Sequence, residues 1–304
     1  MEQVDRSPSS LVLRAWLAKR LVDYRKNAEL SQAEVSEAID WSVSKIQRIE
    51  AEIVSVSATD VKALLDVYGV ASPDVVTRLV EVAKVARKRD RFSAYRKYFS
   101  HEYNVLLSYE EAASVIRSVN SFALPGLLQT SSYAKSLLAV RHSGEKFDKL
   151  AAARTLRQEI LVAPDAPEFV FLIDEAMLRR QVGGRGVLME QLAHLSRMSV
   201  RENVELRVIP FAADVHLGLW EQFVIMTIPA SDLTGESSEM IVYREAGDSE
   251  HLIRHDEDRV ASYEKAFAEV YRQTLNPADS RSLIDELVRE LSASLSEAAD
   301  TAPR

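Results

Sequence analysis

Leu30-Ser-Gln-Ala-Glu-Val-Ser-Glu-Ala-Ile-Asp-Trp-Ser-Val-Ser-Lys-Ile-Gln-Arg-Ile-Glu50 is the stretch on which the reading of this chain turns. Ser31 stands three residues before Glu34, the capping-box spacing in which each side chain bonds the other residue's backbone amide. A short helix is therefore predicted over 32–39. Asp40-Trp41 allows only a tight connection, and Ser42 then caps a second helix over 43–50. Two short helices joined this closely pack at a steep angle. The crossing needs a small residue in the first helix, for which Ser36 and Ala38 are candidates. It also needs apolar side chains in one shared core, which Val35, Ile39, Ile46 and Ile49 provide. The start of the second helix is left projecting outward with Ser42, Val43, Ser44 and Lys45, followed by Gln47 and Arg48. A helix presented in this way fits a DNA major groove about 12 Å wide. These six residues are the candidate base or phosphate contacts. Gln32, at the N-terminus of the first helix, is the candidate contact to the DNA backbone. The spacing alone is equally that of a helical hairpin that binds nothing.

Helical periodicity continues on both sides. Leu13, Leu17, Leu21 and Tyr24 recur every three or four residues. Val61, Leu64, Leu65 and Tyr68 do the same before Gly69 stops the run, and a fifth helix is predicted over 75–88. Residues 1–90 thus read as an all-α, five-helix domain. Residues 91–304 read as an α+β domain. Helices are expected over 109–120, 133–138, 148–161, 187–200, 255–274 and 280–295. Strands are expected over 168–174, 204–209, 222–228 and 240–244, in a small mixed or antiparallel sheet. The fold class is mainly α, and a chain of 304 residues is long enough for two such domains.

Composition excludes several classes of function. The chain has no cysteine, so disulfides, thiolate catalysis and Cys-ligated metal centres are ruled out. The net charge is −8, which argues against a protein that coats nucleic acid nonspecifically. The charge is unevenly placed, however: residues 78–97 carry eight Lys and Arg against Glu81 and Asp90. A solvated basic helix and a phosphate-facing surface explain that stretch equally well. The first ten residues lack the apolar core of a signal peptide, and no run approaches the roughly 20 apolar residues of a membrane helix. The expected location is the cytoplasm, without membrane contact.

Residues 11–69 resemble the Xre-type, lambda-repressor-like helix-turn-helix domain, through Ser31-Gln32 and the run Ser44-Lys-Ile-Gln-Arg-Ile-Glu50. Ala51 departs from that pattern, in which a glycine commonly follows the Glu. The rest resembles the C-terminal domain, of undefined function, of WhiJ-like regulators of actinobacteria. The matching stretches are Leu124-Pro-Gly-Leu-Leu-Gln-Thr-Ser-Ser-Tyr-Ala134, Ile173-Asp-Glu-Ala-Met-Leu-Arg-Arg-Gln-Val-Gly-Gly184, Gln191-Leu192 and Asn203-Val-Glu-Leu-Arg-Val-Ile-Pro-Phe211. The resemblance implies a transcriptional regulator of double-stranded DNA whose second domain senses a ligand or a protein partner. Such regulators are often encoded beside a small partner protein, which gives an antitoxin-like alternative: a module that sequesters the partner and autoregulates its operon. A homodimer on a palindromic site is the expected route to specificity.

Other candidates for chemistry are weaker. Gly183-Gly184-Arg185-Gly186 lacks the spacing of a phosphate loop and reads as a turn. His251 and His255 stand four apart without a metalloprotease motif, and no metal or cofactor is expected. Asp174 and Glu175 alternate faces if a strand runs through them, which separates them as an acid–base pair. An enzyme carrying a DNA-targeting head is therefore the weaker class. Pro125 to Thr130 reads either as a turn, with Leu127 and Leu128 in the core and Thr130 capping, or as one wall of a pocket. In the second case Gln129, Tyr133, His216 and Trp220 are the candidate ligand contacts.

Overall fold

The computed structural model describes residues 10–51, 53–87, 91–231, 233–235, 237–246, 249–254 and 256–300. The polar lead-in before Ser10, the basic residues Lys88 and Arg89, His255 and the last four residues lie outside that set. The chain divides into two compact units. One comprises Met1–Ala94 with Pro229–Glu239, the other Tyr95–Ile228 with Met240–Arg304.

The described residues of the first unit form five helices: α1 (Ser10–Asn27), α2 (Gln32–Ala38), α3 (Val43–Glu50), α4 (Ala58–Val67) and α5 (Pro73–Ala86). Their starts are set by side-chain caps. Ser31 and Glu34 form the predicted capping box, Ser57 and Asp60 form a second one, and Ser42 accepts from the Lys45 amide at 3.2 Å. One core joins the helices, with Leu13, Leu17, Leu21, Val35, Ile46, Ile49, Val61 and Leu65 all buried. Ser36 is the small residue beside the turn: its hydroxyl donates to the Trp41 carbonyl at 2.6 Å, and the Trp41 amide donates back to the Ser36 carbonyl at 3.0 Å. Ala38 is exposed and takes no part in the crossing. Asp40 makes the turn at a φ of 54°, a left-handed conformation that Asp tolerates better than most residues.

The second unit is built from α6 (His101–Ala112), β1 (Val115–Asn120), α7 (Ser131–Leu138), α8 (Gly144–Gln158), β2 (Glu168–Asp174), α9 (Glu175–Arg179), α10 (Arg185–Met198), β3 (Val204–Ile209), β4 (Gln222–Ile228), β5 (Glu239–Ala246), β6 (Ser249–Ile253), α11 (Glu257–Gln273) and α12 (Pro277–Asp300). The chain is mainly α, and its described residues form one six-stranded sheet in the order β3-β2-β1-β4-β5-β6. The sheet is mixed. β3, β2 and β1 run parallel, while β4 runs antiparallel to β1 and β6 to β5.

One predicted element is corrected by the fold. The helix expected over 109–120 ends at Ala112, and Val115–Asn120 is the strand β1. Val115, Ile116 and Val119 are β-branched, and β1 lies in the middle of the sheet with Val119 opposite Leu172 on one side and Phe223 on the other. Two ladders of hydrogen bonds outweigh the local helical spacing. β6 is a further strand with no counterpart in the sequence reading, and it carries His251. α11 covers one face of the sheet, where Val260, Tyr263, Phe267 and Val270 pack on Val119, Leu172, Phe223 and Ile225. Along β1 the alternate residues Ile116, Ser118 and Asn120 point the other way.

Candidate functional site

The outward face of α3 is built by its own inward face. Ile46 and Ile49 are buried, and residues at their spacing leave Ser44, Gln47 and Arg48, three and four apart, together on the opposite side. Ser42, Val43, Ser44, Gln47 and Arg48 are all exposed, Val43 at 37%. The side chains of Ser44, Gln47 and Arg48 form no hydrogen bond or ion pair with other described residues. Three hydrogen-bonding side chains are thus presented to solvent from a rigidly packed helix.

Lys45 is placed differently. Its ammonium lies 3.1 Å from the Asp60 carboxylate and 3.3 Å from the centre of the Trp41 ring. Burial opposes ionisation of Asp60, but Lys45 and the two Ser57 hydrogen bonds outweigh it and hold its pKa below the usual carboxylate range. Lys45 therefore braces α3 against α4 and the turn while keeping 40% of its side chain exposed.

The Gln32 side chain is likewise engaged within the unit. It donates to Glu50 Oε2 at 2.8 Å, and Glu50 accepts a bidentate pair from Arg25 at 2.6 and 2.9 Å. Arg25 also donates to the Leu30 carbonyl at 2.8 Å. The network ties the end of α1, the start of α2 and the end of α3 together, fixing how α3 stands. Burial, and then the Glu50 charge, push the nearby Tyr68 phenol up to about 12. Glu50→Ala leaves Arg25 without its partner where both side chains are nearly buried. The expected loss is about 3 kcal/mol of stability in the first unit. Urea unfolding followed by Trp16 and Trp41 fluorescence measures it, and a loss below about 1 kcal/mol would make the network a surface pair of little weight.

In the second unit the segment after β1 is a short 3-10 turn over Gly126–Leu128. Leu127 and Leu128 are buried, and Thr130 caps α7 by accepting from the Tyr133 amide at 3.2 Å. Gln191, fully buried on α10, clamps the turn: it accepts from the Thr130 amide at 2.6 Å and donates to the Leu128 carbonyl at 2.7 Å. Gln158 donates to the Gly126 and Gln129 carbonyls. The segment is thus both core and wall, because Gly126 and Gln129 line a cavity of about 190 Å³. A second cavity, of about 210 Å³, shares Tyr103, Arg154 and Arg157 with it.

Of the four candidate ligand contacts, the structure sets Gln129 on a cavity wall. Tyr133 is fully buried, and burial raises its phenol pKa. His216 is buried beside Gly218 and Val119, and burial lowers its imidazole pKa. Trp220 is 64% exposed. Tyr133 and Gln129 both hydrogen-bond the backbone of Leu124, whereas His216 and Trp220 are not in the lining of that cavity. The cavity residues absent from the sequence reading are Arg154 and Arg157, three apart on α8, and Gln222 and Glu245, on neighbouring strands. The spacing on α8 was a legible signal for the first two; the second two had none.

The remaining motifs carry local structure. Asp174 caps α9 through the Ala176 amide, and Glu175 accepts from Arg179 and from the Phe211 amide. Gly183 and Gly184 turn at φ of 73° and 92°, where a side chain would be strained. Among the described residues there is no cluster of three or more His, Asp or Glu placed to hold a metal ion, and no helix is long and apolar enough to cross a membrane.

Residues 103–286 match the family described as Domain of unknown function (DUF5753). The chain belongs to that family. Residues 16–79 match the family described as Helix-turn-helix domain, which covers α2, α3 and the turn between them. This DUF5753 chain is therefore a helix-turn-helix protein of the DNA-binding regulator kind. No curated protein and no solved structure matches it.

Proposed function

We propose that this DUF5753 protein is a sequence-specific transcriptional regulator whose first ninety residues read DNA and whose residues 91–304 sense a small effector. The reading rests on one observation: Ser44, Gln47 and Arg48 share an exposed face of α3, while Ile46 and Ile49 lock the opposite face into the core. Arg and Gln side chains pair with guanine and adenine edges in the major groove, and Ser serves either base edge. Val43 meets a thymine methyl, and Ser42, at the cap, meets a phosphate. Lys45 takes the phosphate role rather than a base, since Asp60 and Trp41 already hold it. Gln32 acts by orienting α3 through Glu50, and its backbone amide is the part left for the DNA backbone.

The head is of the Xre type, and the whole chain is a WhiJ-like regulator acting in the cytoplasm without catalysis. Two copies bind as a homodimer on a palindromic site, because one head offers few base contacts. A small effector is favoured over a protein partner by the two cavities in the second unit. Selection of the full-length protein against random duplex DNA tests the reading. An inverted repeat with half-sites roughly one helical turn apart is the expected product, with affinity falling steeply as salt rises. No enriched sequence, together with no duplex retained at low salt, overturns it.

A further inference from the structure

The two adjoining cavities lie wholly in the second unit, and their charged groups are unequally satisfied. Arg157 is committed: it holds Glu110 through two hydrogen bonds, at 2.8 and 2.5 Å, and donates to the Tyr103 hydroxyl at 2.7 Å. Arg154 lines both cavities, donates at 3.1 Å to the neutral amide oxygen of Gln129 and forms no ion pair among the described residues. In the lining of the cavity of about 190 Å³, Gln222 donates its amide nitrogen to Glu245. That bond fixes the orientation of the amide, because the flipped form would set oxygen against carboxylate. It leaves Gln222 Oε1 buried with no hydrogen-bond partner. Part of the lining is apolar, with Leu106, Leu137 and Val224.

We infer that this cavity binds an amino-acid-like zwitterion: a carboxylate on Arg154, an apolar body along Leu106, Leu137 and Val224, and an ammonium between Gln222 Oε1 and Glu245. A single guanidinium without a counter-ion suits a monoanion. Glu245 on the same wall repels a phosphate or a dicarboxylate and attracts a cationic group. The volume of about 190 Å³ exceeds the ~150 Å³ that holds a benzene and suits a body on the order of ten non-hydrogen atoms. The close approach of the guanidinium to the turn is permitted by Gly126, where a Cβ would stand 2.4 Å from Arg154 Nη1. This site rests on the proposed sensor role of the second unit, but it is tested apart from DNA.

Isothermal calorimetry on the full-length protein uses three probes: L-phenylalanine, 3-phenylpropionate and phenethylamine. L-phenylalanine is expected to bind more tightly than either single-charge probe. Arg154→Met is expected to weaken it roughly ten- to hundredfold. Gly126→Ala, which displaces the guanidinium without deleting it, is expected to weaken it less, with the circular dichroism spectrum unchanged. Failure of all three probes to bind, or equal binding to wild type and both variants, overturns the site. Operator affinity measured with and without L-phenylalanine reads the sensor role separately. Binding without any change in operator affinity leaves the ligand site standing and removes the regulatory reading.

Discussion

Replacing Ser44, Gln47 and Arg48 together with Ala lowers affinity for the selected operator to the level of random duplex, a loss on the order of a thousandfold. Each good side-chain–base contact contributes roughly 1–3 kcal/mol of discrimination, and specific binding stands about 4–10 kcal/mol above nonspecific binding. Three contacts removed from one face therefore consume most of that difference. Stability is expected to hold, because these side chains are exposed and bond to no other described residue, and surface truncations of that kind usually stay within about 0.5 kcal/mol. Lys45→Ala gives a different pattern. Its phosphate contact lacks sequence information, so affinity drops by a similar factor for operator and random duplex, and the salt slope shrinks by about one. Its ion pair with Asp60 is partly exposed and contributes little to folding. Fluorescence anisotropy on operator and random duplexes at several salt concentrations separates the two variants. An operator affinity of the triple variant within about threefold of wild type, against the thousandfold expected from the contact energies, removes α3 as the reading helix.

The parts of the molecule legible in the sequence are those decided by neighbours close along the chain. Ser31, Ser42 and Ser57 mark helix starts because a cap acts within three residues. The apolar spacing of Val35, Ile46 and Ile49 announces the buried side of α2 and α3, and the exposed side follows from it. β1 was not legible, since its partners β2 and β4 lie some fifty and more than a hundred residues away, and the apolar spacing running in from α6 resembles a continuing helix. Charged side chains raised the same difficulty. Lys45 looks like a free cation until Asp60 and Trp41 are brought against it, and Gln32 until Glu50 returns beside it. The cavity is assembled from α6, β1, the 3-10 turn, α7, α8, β4 and β5. Arg154 and Arg157 share a spacing on α8, but Gln222 and Glu245 read as ordinary surface residues because nothing local marks them as facing inward.

Glu110→Ala is expected to destabilise the second unit by roughly 3–5 kcal/mol, the largest loss from any single substitution considered. Glu110 is 2% exposed on α6, and its carboxylate neutralises Arg157 across the unit on α8. Burial alone would disfavour the arginine's charge, but the charge and hydrogen bonds of Glu110 outweigh it and raise its pKa. The guanidinium therefore stays charged, and removing Glu110 takes away its hydrogen-bonded counter-ion and leaves only the charge of Glu245 to act on it. Because the pair spans two helices, its loss also loosens the attachment of α8, which carries Arg154 and Gln158 to the turn after β1. The chain divides into two compact units, and a single global melting curve does not isolate an effect on one of them. Hydrogen exchange at the amides of β1 and β2 does, and these are expected to lose protection while α1 to α5 keep theirs. The double variant Glu110→Leu, Arg157→Met supplies the discriminating control. If the penalty is an uncompensated charge, removing both charges recovers most of the loss, since a buried ion pair exchanged for apolar groups of similar size is often neutral. If the double variant is no better than the single one, the pair's weight lies in the bidentate geometry and the Tyr103 hydrogen bond that it aligns.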